Sequence, residues 1–115
     1  MLTSKDLMIG DWFAFQGHPY KCTASDIEAL TECEEKGIPT DISEIPITPE
    51  ILKNNGFKDG QFFAELLYRE WQIMCDCAHL AMRHEDGWFM DIRCHYIHEL
   101  QHALRLCGIE KEIEL

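Results

Sequence analysis

Three runs decide the fold: Trp71-Gln72-Ile73-Met74-Cys75-Asp76, His79-Leu80-Ala81-Met82-Arg83-His84-Glu85, and Trp88-Phe89-Met90-Asp91-Ile92-Arg93. Each has the length of a strand, and the first and third also have its aromatic and β-branched content. Asp86-Gly87 between the second and third reads as a two-residue hairpin turn. With residues 62–67 before them, the runs predict an antiparallel meander. Residues 96–107 follow as a helix, closed by Gly108 in the left-handed conformation. In residues 109–115, Ile113 and Leu115 alternate with Glu112 and Glu114, as in an edge strand.

Upstream, Thr48 suits a helix N-cap and Pro49 the first helical position, where no N–H is needed. Glu50 is favourable in the first turn, and Asn54-Asn55-Gly56 supplies the stop. A short helix over 49–55 is expected, with Ile51 and Leu52 facing inward and Phe57 as an anchor. Nearer the start, Trp12-Phe13-Ala14-Phe15 is a strand, Gln16-Gly17-His18-Pro19 a turn, and Tyr20-Lys21-Cys22-Thr23 the return strand. Such a hairpin needs further surface to pack on, so it is expected to open a small sheet or half-barrel, with an SH3-like N-terminal part as one form of it. Residues 24–50 hold eight acids against one base, Lys36. They read as a solvated loop with one or two short strands, the alternative being an acidic docking surface or DNA mimic. The expected fold is therefore α+β in one domain, residues 1–115, with a mostly antiparallel sheet, a short middle helix and a C-terminal packing helix.

The formal charge is −11 over 115 residues. Phosphate backbones and anionic lipid surfaces repel such a chain, so neither nucleic acid nor membrane is an expected partner. No stretch approaches the roughly 18 consecutive apolar residues of a membrane span. Residues 1–7 lack the basic n-region and apolar core of a signal peptide. The six cysteines therefore read as reduced cytoplasmic thiols rather than as a disulfide framework.

Two clusters could carry chemistry. His98-Glu99-Leu100-Gln101-His102 is H-E-x-x-H, which on a helix sets two imidazoles on one zinc with the glutamate as general base. On a helical wheel, Ile97, Leu100, Ala103, Leu104 and Cys107 form an apolar stripe. His98 and His102 fall opposite it, beside Gln101 and Arg105, on what reads as the solvent face. A catalytic zinc needs a third protein ligand. The extended motif would place Gly at 105 and His at 108, where this chain has Arg105 and Gly108. The motif thus reads as the polar face of a packing helix, with a small zinc hydrolase using His98, Glu99 and His102 as the alternative. In Cys75-Asp76-Cys77-Ala78-His79, strand alternation would put Cys75, Cys77 and His79 on one face, with Cys94-His95 able to supply a fourth ligand. That leaves a structural zinc site open, although the C-x(2–4)-C knuckle is missing. No cofactor and no catalytic residue is otherwise indicated.

Two stretches carry a resemblance. Ile45-Pro46-Ile47-Thr48-Pro49-Glu50-Ile51-Leu52-Lys53-Asn54-Asn55-Gly56-Phe57 resembles the I-P-[IL]-T-x-E-x-L-x-x-x-G-F segment of a family of small uncharacterised proteins. The family occurs in gut anaerobes of the Bacteroides type, often in phage-like or mobile regions. Tyr96-Ile97-His98-Glu99-Leu100-Gln101-His102 is similar to its C-terminal Y-V-H-x-L-Q helix, and Asp6-Leu7-Met8-Ile9-Gly10-Asp11 to its D-L-R-I-G-N start. In that family the positions matching Glu99 and His102 are often Gln and Asn, which implies a packing helix rather than a zinc site. The resemblance brings no reaction or substrate. The acidic surface and the lack of a complete site point instead to a non-enzymatic cytoplasmic module working through an unidentified protein partner, and the resemblance implies a setting as an accessory protein of a mobile element.

Overall fold

The computed structural model describes residues 2–60 and 62–115. The fold is α+β, with antiparallel strands in two sheets and a C-terminal helix. The chain divides into two compact units, Met1–Ile45 and Pro46–Leu115.

In the first unit, β1 (Trp12–Phe15) and β2 (His18–Lys21) pair with Phe13 opposite Tyr20 and Phe15 opposite His18. Gln16 (φ 50°) and Gly17 (φ 82°) form the connection. Positive φ at both central residues is the type I′ geometry whose twist matches the flanking strands. The return strand thus starts two residues earlier than the Gly/Pro pattern suggests. Pro19 is accommodated because β2 is an edge strand in the order β2-β1-β3, where a missing N–H breaks no ladder.

Residues 24–35 are not a loop. They form α1 (Ala24–Glu35), capped by Thr23, whose Oγ accepts from the Asp26 N–H (3.2 Å) while Asp26 Oδ2 accepts from the Thr23 N–H (2.9 Å). This reciprocal cap starts a helix despite the surrounding acids. Ile27 and Leu30, three residues apart, turn toward a small core of Leu2, Leu7, Phe13 and Cys22. The strand β3 (Ile42–Ser43) then pairs with β1. In place of an SH3-like fragment, the unit is an open three-stranded sheet with one helix.

In the second unit, β4 (Lys58–Asp59), β5 (Ala64–Tyr68), β6 (Trp71–Cys75), β7 (His79–His84) and β8 (Phe89–Arg93) form a meander in sequence order. Ile73 lies opposite Met82 and Cys75 opposite Leu80, and all four side chains are buried. Two-residue alternation puts them on one face. Phe62 lies before β5 and is 78% exposed.

The β7–β8 turn encloses three residues, Glu85 to Gly87, between the hydrogen-bonded His84 and Trp88, not two. His84 N–H donates to the Trp88 carbonyl (2.8 Å), Gly87 N–H to the His84 carbonyl (2.9 Å), and Gly87 takes φ 101°. That is a turn closed by a residue in a conformation only Gly adopts freely.

Helix α2 (Pro49–Asn54) begins as expected: Thr48 Oγ accepts from the Ile51 N–H (3.2 Å). Helix α3 (Ile97–Leu106) buries Ile97, Leu100 and Leu104, and the Cys107 sulfur just past its end lies 4.0 Å from that of Met82. It therefore packs on the sheet face bearing Met82. Residues 109–115 form no strand. Ile109 and Ile113 are buried instead, and Asn55 holds this segment through Glu114. Among the described residues, no helix is long and apolar enough to cross a membrane.

Candidate functional site

Helix α3 assigns Glu99 a structural role. Tyr96 is the N-cap, so Glu99 is the third helical residue. Its Oε1 accepts from the backbone N–H groups of His95 (3.0 Å) and Tyr96 (3.1 Å). The first N–H groups of a helix have no partner within it, and a glutamate at this position commonly supplies one. The carboxylate that a zinc protease would aim at a bound water is thus turned back onto its own helix start.

His98 is not on a solvent face. It is 7% exposed, as is Gln101, whereas His102 is half-buried and Arg105 exposed, so part of the polar side of the helix is covered as well as its apolar side. A helical wheel sorts side chains by chemistry and does not register what packs against the polar ones. The His98 ring stacks on Tyr96 (centroids 6.1 Å apart, 10° between planes) and meets His102 edge-on (5.7 Å, 81°). Among the described residues, no three His, Cys, Asp or Glu side chains are placed to hold a metal ion.

Cys75, Cys77 and His79 do not share a strand face. Asp76 ends the strand: its Oδ1 accepts from the N–H groups of Ala78 (3.0 Å) and His79 (2.6 Å), an Asx turn. The chain reverses through Cys77 at φ 72°. Cys75 stays in the core, while His79 is exposed, with Nδ1 3.5 Å from Asp76 Oδ2. Burial pushes the Cys75 thiol up to about 11. Burial, with the neighbouring Cys75 and Glu99, pushes Cys94 up to about 12. Both are thus held as neutral thiols, which makes them poor nucleophiles.

A concavity lined by apolar and aromatic side chains lies elsewhere, wholly within the first unit. Phe13 and Phe15 of β1, Tyr20 of β2, Leu30 and Cys33 of α1, and Ile42 of β3 line a cleft of about 450 Å³. Phe13, Phe15, Tyr20 and Ile42 share one sheet face by register. The core cluster covers Phe13 (5% exposed), whereas Phe15 (38%) and Tyr20 (48%) remain open at the mouth. The wall from α1 carries Asp26, Leu30 and Cys33, spaced four and three residues apart on one helical stripe.

The sequence places Phe13, Phe15 and Tyr20 on a hairpin but marks none of these residues as a site. The available signals were the alternation of Phe13 and Phe15, which was legible, and the Thr23–Asp26 cap, which the density of acids masked. The unit is strongly acidic, with nine carboxylates against three lysines in Met1–Ile45. Lys36 Nζ lies 2.7 Å from Glu32 Oε1. No protein-family model, curated protein or solved structure matches the chain.

Proposed function

We propose that this protein is a non-enzymatic interaction module that docks a segment of a partner protein in the cleft of its first unit. The resemblance adds the setting: a cytoplasmic accessory protein of a mobile element in a Bacteroides-type anaerobe. The observation that carries the reading is the cleft itself. Its volume falls in the range of about 300–1,000 Å³ typical of binding pockets, and its lining is apolar and aromatic with few polar groups. Aromatic and aliphatic anchors entering such pockets dominate interface energetics. The residues that would do chemistry support the same reading, since Glu99 caps a helix and Cys75 and Cys94 are buried and neutral.

The test is amide NMR of the full chain with the neutral peptide acetyl-Ser-Phe-Leu-Phe-Ser-amide, paired with metal analysis of protein purified without a histidine tag. Shifts confined to Phe13, Phe15, Tyr20, Leu30, Cys33 and Ile42 are expected. A spectrum unchanged there at millimolar peptide overturns the docking reading. About one zinc per chain, lost in His98→Ala, overturns the non-enzymatic one.

A further inference from the structure

We infer that the occupant of this cleft is cationic and amphipathic: one or two large apolar side chains flanked by Lys or Arg. The inference rests on reading the cleft as a docking site and adds the chemistry of what docks. The apolar part follows from Phe15 and Tyr20, two aromatic side chains left open above a floor that includes Leu30 and Ile42. Water over such a surface is released when an apolar side chain replaces it.

The charge follows from what surrounds that floor. Asp26 lines the cleft itself. The unit that forms the cleft has three acids for every base. Three lysines stand against nine carboxylates there, and one of them, Lys36, is already paired with Glu32. A partner approaching this field gains in both encounter rate and discrimination if it is positive, and loses if it is negative. A second copy of the chain would bring the same charge of −11. Nucleic acid and anionic lipid would bring phosphate. A basic peptide segment is the occupant that gains from both the floor and the field.

The experiment titrates the full chain with three peptides sharing one apolar centre: acetyl-Lys-Lys-Phe-Leu-Phe-Lys-Lys-amide and its analogues with Ser or Glu at the flanks. In about 50 mM salt, the Lys-flanked peptide should bind about ten-fold tighter than the Ser-flanked one, and the Glu-flanked peptide weakest. The gap should shrink in about 500 mM salt, where screening shortens the reach of exposed charges. Phe15→Ser, at the mouth of the cleft, should weaken the Lys-flanked peptide about five-fold or more while the folded spectrum is retained. If the Ser-flanked peptide binds in the cleft as tightly as the Lys-flanked one, the cationic inference falls and the docking reading stands. If no peptide shifts the cleft residues, both fall.

Discussion

At the scale of single residues, position within an element outranks motif membership. Glu99 belongs to an H-E-x-x-H pattern, but it is also the third residue of a helix. There its carboxylate holds the N–H groups of His95 and Tyr96. Glu99→Ala should therefore lower stability by about 1 kcal/mol, the usual cost of a lost N-terminal cap. Glu99→Gln keeps an acceptor oxygen at the same reach and should cost less. Urea denaturation of the two variants checks this; equal stability of Glu99→Ala and the parent chain would remove the capping role. Sequence patterning exposes Glu99 as a possible cap only when the helix start is placed at Tyr96. The motif drew attention to its chemistry instead.

At the scale of elements, caps and closures were legible where apolar residues flanked them and hidden where acids did. The start of α2 at Thr48-Pro49 stands out because Ile51, Leu52 and Phe57 follow. The equally complete cap at Thr23 is followed by Glu28, Glu32, Glu34 and Glu35, which look like a solvated loop. Residues 109–115 show the opposite failure. The alternation of Ile113 and Leu115 with glutamates suggests a strand, yet the backbone there is held by a side chain. Asn55 Nδ2 donates to the carbonyls of Ile51 (2.8 Å) and Glu114 (2.8 Å), and its Oδ1 accepts from the Glu114 N–H (2.7 Å). Asn55 is only 5% exposed. Asn55→Ala should cost about 1–2 kcal/mol, because it removes three hydrogen bonds of a buried side chain, two of them to the Glu114 backbone. It should also speed carboxypeptidase trimming of residues 109–115. Unchanged trimming would mean that burial of Ile109 and Ile113 alone secures the tail.

At the scale of the whole molecule, three carboxylates tie folding to pH. Hydrogen bonds from the Ser4 hydroxyl and N–H hold Glu34 below its ordinary value of 4.5. The Trp88 N–H, then His84, hold Asp86 below 3.8. Asp76 is also lowered, because the N–H groups of Ala78 and His79 outweigh the desolvation that opposes them. A carboxylate whose pKa is lower folded than unfolded adds stability above the unfolded value and loses it as pH falls through the folded one. The thermal midpoint should therefore fall as pH drops below about 4.5. Relief of repulsion among the acids works the other way, so the contrast between chains is the measurement. A Glu34→Gln, Asp76→Asn, Asp86→Asn chain should be less stable at pH 7 and show a shallower acid fall. A fall parallel to that of the parent chain would show that these three groups do not carry the dependence.

The sequence by itself determined the meander, the cap and stop of α2, the span of α3 and the acidity of the chain. These are local properties: side-chain period, turn chemistry and charge are read within a few residues of one another. Tertiary structure alone decided that His98 is buried, that Cys75 and His79 part at the Asp76 turn, and that Asn55 reaches Glu114. It alone decided that Phe15, Tyr20, Leu30 and Ile42 line one cleft. Each of these depends on which surface meets which across tens of residues. Packing settles that, and no local period records it.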